Sequence, residues 1–174
     1  MSAAVFVDSN VLVYARQANE PVKQPLAAQW LERLWRDQLG RTSVQVLGEA
    51  YVTLTRKINP ALAAADAWGY VSTLFAWDPQ PVDEAVARRA RDIEQRHRIS
   101  WWDSLIVSAA QLQNCAMLLS EDMQDGARFG STVVRSPFNL GVSEAPMAYA
   151  AIPDVTRPYR PRGRPRRAGV KRSG

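Results

Sequence analysis

Two apolar rhythms alternate along the chain. Residues 3–7, 116–119 and 132–134 are short, nearly continuous apolar runs, the pattern of strands buried on both faces. Between them, apolar residues recur at helical spacing. Leu26, Trp30, Leu34 and Trp35 mark one helix, which restarts the chain after Pro21 and Pro25 and is expected to stop at Gly40. Leu47, Tyr51 and Leu54 mark a second, running from Val44 to about Ile58. An alanine-rich helix is expected over 61–75, opened by Pro60. Asp83 is placed to cap a charged helix over 84–97, and Ser100 opens a last one carrying Leu105, Ile106, Ala109 and Leu112. Residues 41–43 and 77–82 are expected to be short strands, the latter weakened by its turn-forming residues. Apolar strands alternating with helices predict an α/β domain with a mainly parallel sheet and helices on both faces.

The pattern fades beyond Pro137, which suggests three segments: a folded domain over 1–140, an irregular stretch over 141–154, and a tail over 155–174. The tail changes the meaning of the net charge of +5. It holds eight of the 22 basic residues and no acid, so the remainder carries 14 basic against 17 acidic residues, a net charge of −3. A mildly acidic body with a basic, disordered arm is expected. Arg157, Arg160, Arg162, Arg164, Arg166 and Arg167 are candidate RNA contacts on that arm.

The single cysteine, Cys115, lies in an apolar stretch and reads as a buried thiol in a reducing compartment. Neither a signal peptide nor a membrane-spanning run is visible, so a cytoplasmic protein without membrane contact is expected.

The candidate chemistry is acidic. Ligands of open parallel sheets bind beyond the carboxyl ends of the strands. Asp8 follows Val5-Phe6-Val7, and Asp122 follows the run ending at Leu119. Asp103 sits at the start of the helix leading to that second strand, and Glu49 lies on a helix among apolar neighbours. Four converging carboxylates would repel one another without a cation. Oxygen ligands with no His or Cys cluster point to Mg²⁺ or Mn²⁺, and such a site suits phosphodiester hydrolysis. Each residue also has a plainer reading. Asp8 could be a turn or helix cap, Glu49 a solvent-facing helix residue, and Asp103 part of a capping box with Ser100. Trp101 and Trp102 could stack on bases, but packing is the expected role, and His97 is not expected to be catalytic.

The segments Val5-Phe6-Val7-Asp8-Ser9-Asn10, Gln45-Val46-Leu47-Gly48-Glu49, Trp102-Asp103-Ser104-Leu105-Ile106-Val107-Ser108-Ala109-Ala110 and Leu118-Leu119-Ser120-Glu121-Asp122-Met123-Gln124-Asp125-Gly126 resemble, in order, the four motifs of PIN domains. They are especially similar to VapC-like toxins of toxin–antitoxin pairs. The resemblance covers residues 3 to 138. It implies a three-layer α/β/α sandwich and a Mg²⁺- or Mn²⁺-dependent endoribonuclease. By motif position, Asp8, Glu49, Asp103 and Asp122 match the family's acids, with Asp8, Asp103 and Asp122 as metal ligands. Asn10 and Ser120 match its supporting polar positions, and Asp125 could assist or replace Asp122. It further implies an RNA substrate, a cognate antitoxin and a homodimer. A housekeeping RNA-processing nuclease and a non-catalytic RNA-binding adaptor with a degenerate PIN domain are the alternatives. A phosphatase with Asp8 as nucleophile fits less well, since position 10 is Asn and no lysine lies between Lys57 and Lys171.

Overall fold

The computed structural model describes residues 3–140; the segments 141–154 and 155–174, with the arginines of the basic arm, lie outside the described residues. The first apolar run forms β1 (Val5–Val7), all of it buried. The chain continues through α1 (Ser9–Tyr14), α2 (Lys23–Arg36), β2 (Gly40–Arg41), α3 (Val44–Arg56), α4 (Ala64–Thr73), a 3-10 turn (Leu74–Trp77), α5 (Glu84–His97), α6 (Trp101–Leu112), β3 (Met117–Leu119), β4 (Arg128–Phe129) and β5 (Thr132–Arg135).

The five strands run in the order β2-β1-β3-β5-β4. All neighbours are parallel except the β4–β5 hairpin. β1 pairs Val5 with Gly40 on one side and with Met117 on the other. The chain therefore leaves β1 toward one edge and later returns to its other side, which makes the crevice between β1 and β3 the topological switch point of the sheet. Helices flank the sheet in the expected α/β/α arrangement. α6 packs on β3 and β5 and carries α5 outside it, while α2 packs on β2 and α1 lies against α2 and α3. The core joins Phe6, Val7, Leu118 and Leu119 of the sheet to Trp30, Leu54, Val71 and Val107 of the helices.

Helix starts follow the caps in the sequence. Ser43 accepts from Val46 N, Asp83 from Val86 N, and Ser100 from Asp103 N, each satisfying an amide that the first helical turn leaves open. Several boundaries differ from the sequence expectation, for local reasons. The alanine-rich helix begins at Ala64, not residue 61, because the Leu62 amide bonds back to the Leu54 carbonyl (2.9 Å) and holds the segment against α3. α2 ends at Arg36 before Gln38 takes a left-handed conformation, so Gly40 does not stop it. Pro25 falls within the first turn of α2, where its missing N–H costs nothing. The expected strand at 77–82 reduces to one bridge, Ser43 with Gln80, since Pro79 and Pro81 on either side of Gln80 have no amide to donate. The expected strand at 41–43 reduces to Arg41 at the end of β2 plus that bridge. β4 was not expected. It pairs Phe129 with Thr132 across Gly130-Ser131, with Gly130 at positive φ, the conformation a two-residue hairpin loop requires.

Gly40 serves packing instead. A Cβ at this position would lie 2.5 Å from the Trp77 indole, and Trp77 is itself buried. Gly40→Ala is expected to overpack this contact and destabilise the domain by roughly 1–3 kcal/mol, read as a lower urea midpoint with an unchanged slope; an unchanged midpoint would mean that Trp77 is free to move aside.

Candidate active site

The site is assembled at the carboxyl ends of β1 and β3. Asp8 follows β1 directly, and its amide extends the ladder by donating to Leu119 O (3.0 Å). Ser120 follows β3 directly; it is fully buried and donates through Oγ to Asp8 Oδ2 at 2.7 Å. The first residue of α1, Ser9, donates its amide to Asp8 Oδ1 (2.7 Å). One helical position on, Asn10 Nδ2 lies within hydrogen-bond distance of Asp8 Oδ2 (3.0 Å), Ser120 Oγ (3.2 Å) and Asp122 Oδ2 (3.2 Å). An amide has only two hydrogens for these three acceptors. Its oxygen in turn accepts from Glu121 N (3.2 Å). Asn10 thus ties the start of α1 to the loop after β3 and sets its positive amide end between two carboxylates.

Glu49 arrives from α3. Gln45, one turn earlier, donates Nε2 to Glu49 Oε1 (2.9 Å) and approaches the Trp102 carbonyl (3.5 Å), while Ser9 Oγ reaches Glu49 Oε2 at 3.4 Å. Asp103, in the first turn of α6, has its amide capped by Ser100 Oγ (3.0 Å). Its carboxylate is near enough to feel the charge of Asp122. The capping role expected of Ser100 is therefore real, and it coexists with the Asp103 carboxylate feeling the charge of Asp122.

Electrostatics follows from this packing. Asp8 is 3% exposed. Burial pushes its carboxyl up to about 6; the Ser120 and Ser9 bonds oppose the rise, and the charges of Asp122 and Glu49 add to it. Burial likewise raises Asp103, against its Ser100 bond and with help from Asp122. The donors to Asp8 are all neutral, so a buried anion faces two further anions. A cation is the natural compensation, and an all-oxygen donor set fits Mg²⁺ or Mn²⁺. Among the described residues, no three His, Cys, Asp or Glu side chains are already gathered tightly enough to hold an ion. The donor chemistry fits a metal while the side chains are not arranged as a finished cage.

Two other acids of the same loop are engaged elsewhere. Glu121 pairs with Lys23, which also bonds Tyr14 Oη (3.2 Å). Asp125 Oδ1 accepts from Arg135 Nε (3.0 Å) and Ser136 N (2.9 Å). Gln45 and Lys23 were not singled out in the sequence. Gln45 was findable, being four residues before Glu49 on one helix; Lys23 gave no local signal. Cys115 is buried and its thiol pushed up to about 12 by that burial, as a core residue should be. Trp102, expected to pack, is 63% exposed, and Trp101 is 36% exposed. At the first turn of α6 their rings project beyond the buried stripe that begins at Ser104. A cavity of about 780 Å³ lies elsewhere, between α5, the end of α6 and the β4–β5 turn, lined by Arg88, Arg89, Arg96 and His97 among others. It contains none of the four candidate acids.

With this geometry in hand, the PIN domain family model matches residues 5–124, and the chain belongs to the PIN-domain family. No curated protein matches it. Among solved structures it is similar to a toxin–antitoxin complex from Klebsiella pneumoniae (19% identity, TM-score 0.57, 78% of this chain and 98% of that one). It is also similar to the VapC20 toxin of Mycobacterium tuberculosis, described as cleaving the Sarcin-Ricin loop (21% identity, TM-score 0.54, 68% of this chain and 92% of that one). These likenesses establish a shared fold.

The raised Asp8 carboxyl has a consequence for stability. Because the folded state holds this proton more tightly than the unfolded state, its contribution to stability falls as pH rises from about 4 to about 6. The shift corresponds to roughly 3 kcal/mol at full ionisation. In EDTA, the Tm difference between Asp8→Asn and the wild type is expected to grow in the variant's favour across this window; a difference independent of pH would mean that Asp8 titrates normally. Millimolar Mg²⁺ should raise the wild-type Tm at pH 7 and leave the variant's nearly unchanged.

Proposed function

We propose that this chain is a divalent-metal-dependent endoribonuclease and the toxin of a toxin–antitoxin pair. The observation that carries the reading is the meeting of Asp8, Asn10, Ser120 and Asp122 at the switch point of the sheet, with Glu49 and Asp103 within electrostatic reach. PIN nucleases generally use divalent metal ions, and the all-oxygen donor set here suits one.

Asp8, Asp103 and Asp122 would hold the ion. Bound there, Mg²⁺ or Mn²⁺ would polarise the scissile phosphate and acidify a water. The chain's own residues prepare the site. Ser120 and the Ser9 amide fix both oxygens of Asp8. Asn10 orients Asp8 and Asp122 together. Gln45 and Ser9 hold Glu49 at the rim. Asp8 or Asp103 would take the proton of the attacking water. A pure RNA-binding adaptor is disfavoured, because clustered carboxylates repel phosphates.

The fold shared with a toxin–antitoxin complex supports an antitoxin partner and toxin biology. A homodimer and a cytoplasmic location belong to the same reading; among the described residues no helix is long and apolar enough to cross a membrane. Arg157, Arg160, Arg162, Arg164, Arg166 and Arg167 would add phosphate contacts.

Purified protein is expected to cut a labelled mixed-RNA pool internally with Mg²⁺ or Mn²⁺. EDTA should stop cleavage. Asp8→Asn/Asp103→Asn should lose more than the roughly 10–100-fold that outer-shell partners cost. Equal cleavage by this double variant would overturn the site assignment. Deleting 155–174 should weaken RNA binding and flatten its salt dependence, by at most about 6 in log–log slope if all eight charges meet phosphates, while leaving metal-dependent cleavage in place. Growth arrest on induction, relieved by a neighbouring gene's product, would separate a toxin from a housekeeping nuclease.

A further inference from the structure

We propose that the exposed indole of Trp102 is a nucleobase-binding subsite, stacking on a base of single-stranded RNA beside the scissile phosphate. The inference rests on the ribonuclease reading and adds to it where the substrate's bases are held.

Three observations lead to it. Trp102 is 63% exposed, far more than an aromatic of this size needs for folding, and at the start of α6 it precedes Asp103 directly. The adjoining backbone is held in place: Ser100 caps the Asp103 amide, and Gln45, while bonded to Glu49, reaches the Trp102 carbonyl at 3.5 Å. The indole is thus mounted on the framework that positions two of the acids. Finally, the site is negatively charged: Asp8 feels the charges of Asp122 and Glu49, and Asp103 that of Asp122. Phosphates gain little from such a surface except through a cation, so affinity near the reacting bond must come from contacts that do not depend on charge. Stacking on an aromatic face is such a contact, and it tolerates any base. Trp101, half as exposed at 36%, is the less available of the pair.

The test separates this proposal from the reading beneath it. The full chain is assayed on a labelled mixed-sequence RNA with Mg²⁺, as wild type, Trp102→Ala, Trp102→Leu and Trp102→Phe. Trp102→Ala is expected to raise KM about tenfold, within the range one base–aromatic stack supplies, with kcat within about twofold. Trp102→Phe should recover most of the loss and Trp102→Leu little, because an apolar side chain without a π face does not stack. Binding of a single-stranded RNA 12-mer, measured in the cleavage-deficient Asp8→Asn background, should weaken by a similar factor. Its salt slope should not change, since no phosphate contact is removed. Abasic nucleotides placed in turn along the 12-mer should weaken binding at one position with Trp102 present, and not there with Ala.

Cleavage by wild type with KM unmoved in Trp102→Ala would overturn the subsite and leave the ribonuclease reading standing. Equal rescue by Leu and Phe would overturn stacking. A change of oligomeric state in Trp102→Ala, with RNA affinity unaltered, would assign the indole to a protein interface and overturn the proposal. Neither cleavage nor binding of RNA by folded wild type would overturn both.

Discussion

The hydrogen bond from the Ser120 hydroxyl to the Asp8 carboxylate joins the ends of two neighbouring parallel strands, and the site is organised around it. It requires β1 and β3 to be in register, which the pairing of Val7 with Leu119 provides. A slip of one residue would leave Asp8 and Ser120 on opposite faces of the sheet. Register in turn rests on core packing, since Phe6, Val7, Leu118 and Leu119 are all fully buried. Once Asp8 and Ser120 are fixed, Asn10 on the first turn of α1 can reach both of them and Asp122. The geometry of the candidate site is thus a continuation of the sheet's ladder by side chains.

The same arrangement sets a conflict between stability and chemistry. A carboxylate buried among other carboxylates favours protonation, and a protonated acid is a poor metal ligand. The domain manages this by directing neutral donors at Asp8 and by removing one acid from the cluster through the Lys23–Glu121 pair. Arg135 similarly occupies Asp125. Of the acids crowded into residues 121–125, Asp122 is the one bonded to the Asp8 framework through Asn10. That distinction depends on pairings with β5 and α2, elements far apart in the chain.

The PIN fold is shared with structures only 19% and 21% identical to this chain. Packing explains how. Buried strands such as Val5-Phe6-Val7 and Met117-Leu118-Leu119 need apolar volume and β-branched or bulky side chains rather than particular residues. The polar positions are less replaceable, because a buried Asp8 needs donors at defined points. The end of the sheet that carries the acids also carries an exposed aromatic at α6, while the arginine-lined cavity beside α5 belongs to another part of the molecule.

The local pattern was sufficient for much of this. Three apolar runs became buried strands, five helices appeared near their expected places, and Ser43, Asp83 and Ser100 marked helix starts, because apolar periodicity and capping are properties of neighbouring residues. The four acids could be nominated from their positions at strand ends and within the ordered motifs. The amphipathic pattern could not say that Gln80 would make a lone bridge, that Leu62 would bond back to α3, or that Arg128–Phe129 would form a hairpin strand. Those outcomes depend on which backbone groups find a partner after the elements have packed. Sequence alone determined most of the helices, the three buried strands and the inventory of carboxylates. Tertiary structure decided which carboxylates share a site, which are neutralised by Lys23 or Arg135, and that Trp102 faces outward, because burial, charge pairing and hydrogen-bond reach are set by residues brought together across the chain.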